Sequence, residues 1–419
     1  MKRLHRWLLI TALSGLLQPA LAAEDLPPHE VVDRALDSYV DVLNARSRMQ
    51  MEQSERRRRA SGDYEFTVQG GVYRDRMQEG AALNNYRDWE VAIERPFRLP
   101  NKMFIDSDIG AAAIARGENT MADARHTAAR LLLQLWFTWQ REQAQVMQWQ
   151  EQMDILQQQA LITEKRIKAG DAPRMELNQV KAAAAMSDVS LQQARLRAQL
   201  AAEELQRQFS ALPLPEQLPL LEPQAIEQPL EYWRDIILHD NHEIALAQAE
   251  AAYQQGLAER ASADRLPDPT LGLKYTSLLD HRQRIAGLYV SFPLGYTARS
   301  AHADSAQAQA DIAAEQARAM QRRVGSDIFN AYTRAVSTYA IWQQGNEAAK
   351  SLRQNAELVA RAYSLGESSL DTTLIARRQA LEAALAEKLA RLDANEARYR
   401  LLLDAHQLWP SHDEAHSMH

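Results

Sequence analysis

Within each half of this chain the hydrophobic period changes twice: helical spacing gives way to strict alternation and then returns. Near residue 170 the chain reads KAGDAPRMELNQVKAA from Lys168, and near residue 366 it reads SLGESSLDTTLIARRQA from Ser364; each is a helix, a glycine and a second helix. Gly170 and Gly366 lie 196 residues apart, and Pro96 of AIERPF lies 197 from Pro293 of YVSFPL, so two landmarks share one period. SYVDVLNARSRMQMEQSE from Ser38 matches DNHEIALAQAEAAYQQGL from Asp240 at an offset of 202, because the loop that follows is longer in the first copy. The pattern predicts a tandem repeat, 23–211 and 231–409. A linker at 212–230 joins the copies, marked by Pro213, Pro215, Pro219, Pro223 and Pro229, and a short tail, 410–419, follows.

In the first copy Tyr64, Phe66, Val68, Gly70 and Val72 alternate with Glu65, Thr67, Gln69 and Gly71, and Trp89, Val91 and Ile93 alternate with Glu90, Ala92 and Glu94. In the second, Leu271, Leu273 and Tyr275 alternate with polar or small residues, as do Ala286, Leu288, Val290 and Phe292. Each copy is therefore predicted to supply one hairpin, at about 64–96 and 269–293, with roughly ten residues per strand. Strands of that length with one apolar face suit a tilted outer-membrane crossing, and they suit a half-buried soluble sheet equally well. Four strands are too few to close a barrel, which needs about eight, so the membrane reading requires several chains to pool their hairpins.

The runs from Met103 to about Ile167 and from Ala298 to about Leu365 contain few helix breakers, and each could extend roughly 95 Å. Alanine at Ala303, Ala306, Ala310, Ala313 and Ala317 lets helices approach closely, which favours layers of packed helices; a two-stranded coiled coil is the alternative. Only 7% of residues are aromatic and 15 are glycine, in keeping with a mostly helical chain. There is no cysteine, which excludes disulfides and thiolate chemistry, and a net charge of -7 argues against general nucleic-acid binding. Lys2, Arg3 and Arg6 precede an apolar run, Trp7 to Leu17, and Ala20-Leu21-Ala22 offers a cleavage site. Residues 1–22 therefore read as a secretory signal peptide, and without a cysteine at the cleavage point no lipid anchor is expected.

The two copies, each ordered helix, hairpin, long helix, glycine turn and helix, together with the proline-rich joint, resemble the TolC-like outer-membrane efflux channels. The most specific part is the glycine turn: Gly170 is followed by Glu176 and Leu177, and Gly366 by Thr372, Leu374 and Ala376. LGESSLDTTLIARRQALEA from Leu365 is similar to the branch serving RND-type export of heavy-metal cations, of the cobalt-zinc-cadmium and copper-silver kind. The resemblance implies a homotrimer sharing one twelve-stranded barrel in outer-membrane lipid, continued by a tunnel of helices through the periplasm. It implies that the turns at Gly170 and Gly366 meet a periplasmic adaptor protein linked to an inner-membrane RND pump, and that Pro96 and Pro293 mark the passage from strand to helix. Asp371 and Glu176 become candidates for the electrostatics of the tip. Family members often carry acids six and nine positions after the second glycine, whereas those positions here are Thr372 and Ile375, and Asp371 reads equally as an acid favouring a helix N-terminus.

His412, His416 and His419 in the tail are spaced to hold a divalent metal on one turn, and a solvated tail has the same composition. Arg56 to Arg59 read as helix C-terminal charge or a contact for anionic headgroups, and Met49 and Met51 as helix packing. His239, Asp240 and His242 offer a metal-like spacing for an enzyme. No phosphate loop, HExxH or dinucleotide fingerprint appears, so neither an enzyme nor a cofactor is expected. The sequence thus predicts a passive outer-membrane exit duct of a tripartite efflux system, with heavy-metal cations as the preferred cargo. The competing expectation is a soluble periplasmic coiled-coil adaptor or tether.

Overall fold

The computed structural model describes residues 25–62, 64–79, 81–215, 219 and 221–410. The signal segment 1–22 and the tail histidines His412, His416 and His419 lie outside the described residues.

The first copy runs α1 (His29–Asp37), α2 (Val40–Ser61), β1 (Thr67–Glu79), β2 (Ala82–Pro96), α3 (Pro100–Lys168) and α4 (Arg174–Gln208). The second runs α5 (Leu230–His239), α6 (His242–Ala263), β3 (Thr270–Leu278), β4 (Gln283–Ser291), α7 (Tyr296–Ser364) and α8 (Leu370–Asp404). Corresponding helices have equal lengths: 22 residues in α2 and α6, 69 in α3 and α7, 35 in α4 and α8. The repeat reaches the packing as well. Val32, Leu36, Ala128 and Leu132 in one core have counterparts in Trp233, Ile237, Val324 and Ile328 in the other.

Each 69-residue helix is about 100 Å long. Near the sheet α3 packs between α2 and α6, and α7 packs on α6; towards the other end α3 pairs with α4 and α7 with α8. The result is a layered arrangement in which Ala303, Ala310 and Ala313 are buried, with the two larger hydrophobic cores midway along it. At Gly117 a Cβ would stand 2.8 Å from the Met49 sulfur, so the α2–α3 crossing is close enough that a larger residue would displace the Met49 side chain. The larger core fixes the start of the described chain: Trp136 donates its indole N–H to the Asp25 carbonyl at 2.9 Å, and the Tyr399 hydroxyl donates to the Asp25 carboxylate at 2.8 Å. The part of the linker from Leu221 to Gln224 meets α8, where Asn395 donates to the Leu221 carbonyl and Arg398 to the Gln224 side chain.

The four strands form one antiparallel sheet in the order β1-β2-β3-β4. The two hairpins stand side by side through β2 and β3, leaving β1 and β4 as the outer strands. The expectation of about ten residues per strand holds for β3 and β4, at 9 each, and falls short for β1 and β2, at 13 and 15. The extra length is Tyr73 to Arg87, where alternating apolar character stops although backbone pairing continues. Among the described residues no helix is long and apolar enough to cross a membrane.

Candidate functional site

Directly opposed residues of an antiparallel sheet share a face, so the register divides this one cleanly. One face carries Val68, Ile93, Leu273 and Leu288 in one row and Gly70, Val91, Tyr275 and Ala286 in the next. None of the described residues covers it: Val68 is 68% exposed, Leu273 55% and Leu288 83%. Aromatic rings bound the band, with Trp89 against Tyr275 at one end and Phe66 under the Arg95 guanidinium at the other. The opposite face is polar and internally bonded. Glu90 accepts from Tyr73 at 2.8 Å and pairs with Lys274 at 2.5 Å; Glu94 accepts from Gln69 at 2.7 Å and from Tyr289 at 2.6 Å. An apolar face of this size left uncovered beside a satisfied polar face marks a surface that meets a partner or a membrane.

Pro96 ends β2 opposite Thr270, and Pro293 follows β4 by two residues, so both stand where strand passes to helix. Between them lies a cluster that sequence reasoning missed. Lys102, 1% exposed, donates to the Leu266 carbonyl at 2.8 Å and pairs with Asp264 at 2.9 Å and Asp268 at 3.0 Å. Asp106 receives Arg98 at 2.8 Å and Arg260 at 2.9 Å. Burial, followed by its bond to Asp268, pushes the Tyr64 hydroxyl up to about 12. These charges lock the α3 start to the α6–β3 connection and so set one copy's sheet on the other copy's helices.

Below the junction a trough of about 1220 Å³ is lined by α2, α3, α6 and α7, with Arg48, Arg116, Asp123, Glu250 and Arg323 on its wall. Arg116 bridges Glu52 of α2 and Glu250 of α6. At the lower end the rings of His126, His242 and His406 meet edge-to-face or tilted, with centroids 4.7 to 6.0 Å apart. His126 contacts Asp404 at 3.2 Å, and burial outweighs that carboxylate and holds its pKa down at about 4. Burial alone would raise Asp404, yet His126, Arg130 and Arg400 hold it below the usual carboxylate range. His242 belongs to this ring cluster while the His239 side chain is 85% exposed, so the spacing of His239, Asp240 and His242 does not make a site. No group of three potential metal ligands converges among the described residues. Met49 packs against Gly117, while Met51 is exposed.

At the far end Gly170 (φ +77°) and Gly366 (φ +80°) occupy the same position in two identical turns. In each, the residue after the glycine donates to the carbonyl five positions back, Asp171 to Arg166 at 2.8 Å and Glu367 to Ala362 at 2.9 Å, and the glycine donates three back. This closure demands a left-handed residue, hence glycine. A Cβ at either glycine would meet nothing within 4 Å, so the surface beyond is open.

The other tip candidates have distinct surroundings. Glu176 is turned inward, accepting from the Tyr363 hydroxyl at 3.1 Å with Arg166 at 3.9 Å, so it joins the two copies instead of facing solvent alone. Arg166 also bonds Tyr363 and Asp171, and burial and Glu176 together raise the Tyr363 hydroxyl above its ordinary pKa. Leu177 is half-buried; Asp371 is exposed in the first turn of α8, and Thr372 donates its N–H to the Ser369 hydroxyl that caps that helix. Arg166 and Tyr363 escape sequence reasoning because they do not correspond under the 196-residue shift, and only the packing of α3 against the second copy brings them together.

No family model and no curated protein matches the sequence. Solved structures do match. The Campylobacter jejuni CmeC outer membrane channel aligns over 93% of this chain and 88% of its own, at 16% identity and a TM-score of 0.76. The Vibrio cholerae outer membrane protein VceC aligns over 90% and 95%, at 16% and 0.71. The outer-membrane channel OprN aligns over 92% and 92%, at 15% and 0.69, and CusC, described in terms of folding and transmembrane channel formation, over 91% and 91%, at 17% and 0.64. Across nearly its whole length the chain therefore has the fold of these outer-membrane channels.

Proposed function

We propose that three copies of this chain form a passive exit duct in the outer membrane. The observation that carries the reading is the sheet: four strands, two outer edges and an apolar face that none of the described residues covers. Three copies give twelve strands, enough to close a barrel that removes every edge and turns Val68, Leu273 and Leu288 to lipid. The polar face, with Glu90, Glu94 and Lys274, then lines water, and the long helices carry the passage about 100 Å into the periplasm.

In this duct the tips at Gly170 and Gly366 are the seats for a periplasmic adaptor that connects to an inner-membrane RND pump. The open space beyond both glycines supports a close backbone approach there. Arg166, Tyr363 and Glu176 tie the tip of α3 and α4 to that of α7, so the link forms part of the closure of the inner end, and Asp371 contributes exposed charge beside it. Heavy-metal cations are the proposed cargo, on the resemblance of the segment from Leu365. The energy comes from the pump, and the duct needs a wet path and charge at its constrictions, with no catalytic group.

The test is envelope fractionation followed by the mass of the unheated, detergent-extracted protein. A trimer from the outer membrane is the expected result; a soluble monomer or dimer would replace the duct with a periplasmic tether. For the cargo, deletion should lower tolerance to zinc, cobalt, cadmium, copper or silver. Unchanged metal tolerance with increased sensitivity to dyes or detergents overturns that assignment.

A further inference from the structure

The extra length of the first hairpin continues the apolar face as a basic one. Arg74 and Arg87 are directly opposed across β1 and β2, Arg76 lies two residues further along the same face, and Arg284 stands beside Ser277 in the row of Trp89. All four are exposed, and no ion pair or hydrogen bond of their guanidinium groups occurs among the described residues; the Arg87 backbone N–H donates to the Asp280 carboxylate at 3.0 Å. Of the nearby acids, Asp75 and Asp88 alternate to the other face, where Asp88 accepts the Leu279 N–H at 2.8 Å, and Asp280 is engaged by the Arg87 backbone N–H and forms no ion pair with a guanidinium among the described residues. Like charges directly opposed on a sheet are unfavourable unless an anion lies between them. Guanidinium groups are also the side chains best shaped to bind phosphate with paired N–H donors.

Resting on the reading of this sheet as a membrane wall, we propose that Arg74, Arg76, Arg87 and Arg284 bind the phosphate groups of a phosphorylated glycolipid of the outer leaflet. The cluster sits immediately beyond the Trp89–Tyr275 pair that bounds the apolar band, at the hairpin end remote from the helices. A lipid whose chains lie on Val72 and Val91 would place its headgroup at this level. Free phosphate satisfies the same charges but has no reason to be sought at the margin of an apolar band, so the occupant is the lipid.

The experiment places the full-length protein in phosphatidylcholine vesicles, confirms insertion by flotation, and titrates diphosphorylated lipid A, its dephosphorylated form and inorganic phosphate. Wild type is expected to prefer the diphosphorylated lipid. The Arg74→Gln/Arg76→Gln/Arg87→Gln variant should insert equally well and bind that lipid roughly a hundredfold more weakly, at about fivefold per arginine. Replacing the same three by Lys, which keeps charge but loses the planar donor fork, should restore part of the affinity. Equal binding by wild type and the Gln variant, or inorganic phosphate competing at the lipid's own concentration, overturns the inference and leaves the membrane wall standing. Failure of both proteins to float overturns the membrane wall itself.

Discussion

Leu273→Arg separates a lipid-facing sheet from a solvated one. Leu273 lies in the middle of the apolar band, flanked by Ile93 on β2 and Leu288 on β4, and is 55% exposed. If the face meets hydrocarbon, an arginine near midplane costs about 2–4 kcal/mol per chain, and three equivalent positions in one cooperative barrel cost about 6–12 kcal/mol per trimer. That is comparable with the whole stability of an ordinary domain, about 5–15 kcal/mol, so the assembled trimer should fall below detection in the outer membrane. If the face meets water, the same exposed substitution changes stability by no more than about 0.5 kcal/mol. Lys274→Arg, one residue along and on the polar face beside Glu90, is the control and should assemble normally. The assay is heat-modifiable trimer in purified outer membrane, quantified beside urea unfolding of vesicle-reconstituted protein. Wild-type trimer levels for Leu273→Arg would refute the assignment of this face to lipid.

Three further outcomes test other parts of the molecule. Gly366→Ala forces an alanine to φ near +80° without a clash, so it should cost about 1–2 kcal/mol and speed hydrogen exchange at the α7–α8 turn, while the Gly170 turn keeps its protection. Tyr363→Phe removes the hydroxyl that accepts from Arg166 and donates to Glu176; single-channel recording should show a higher open fraction than wild type, and an unchanged record would remove this link from the closure. The folded state binds a proton at His126 more weakly than the unfolded chain does, so stability should fall as pH drops from 6.5 to about 4, by about 3 kcal/mol in all. Asp404, depressed below the usual carboxylate range, loses its contribution only under more acidic conditions, so His126→Gln should flatten the slope in that window; an unaltered slope by chemical denaturation refutes the assignment.

The sequence by itself determined the repeat, the order of helices and strands and the two-faced hairpins. Each depends on local spacing: alternation fixes the faces through Val68 and Ile93, and Gly170 and Gly366 declare left-handed turns because few other residues take that conformation. The prolines at Pro96 and Pro293 likewise marked the ends of the strands. Spacing was silent where polar residues continued a strand, and backbone pairing carried β1 on through Arg74 and Arg76. It was equally silent about partners distant in the chain. Tertiary structure alone brought Lys102 to Asp264 and Asp268, His126 to Asp404, and Arg166 to Tyr363, and it turned Glu176 from an apparently free acid into the acceptor of that last pair. Such pairs join different elements, often across the repeats, and burial makes them consequential; a periodic pattern records which side of an element is apolar, but not which charge another element will bring against it.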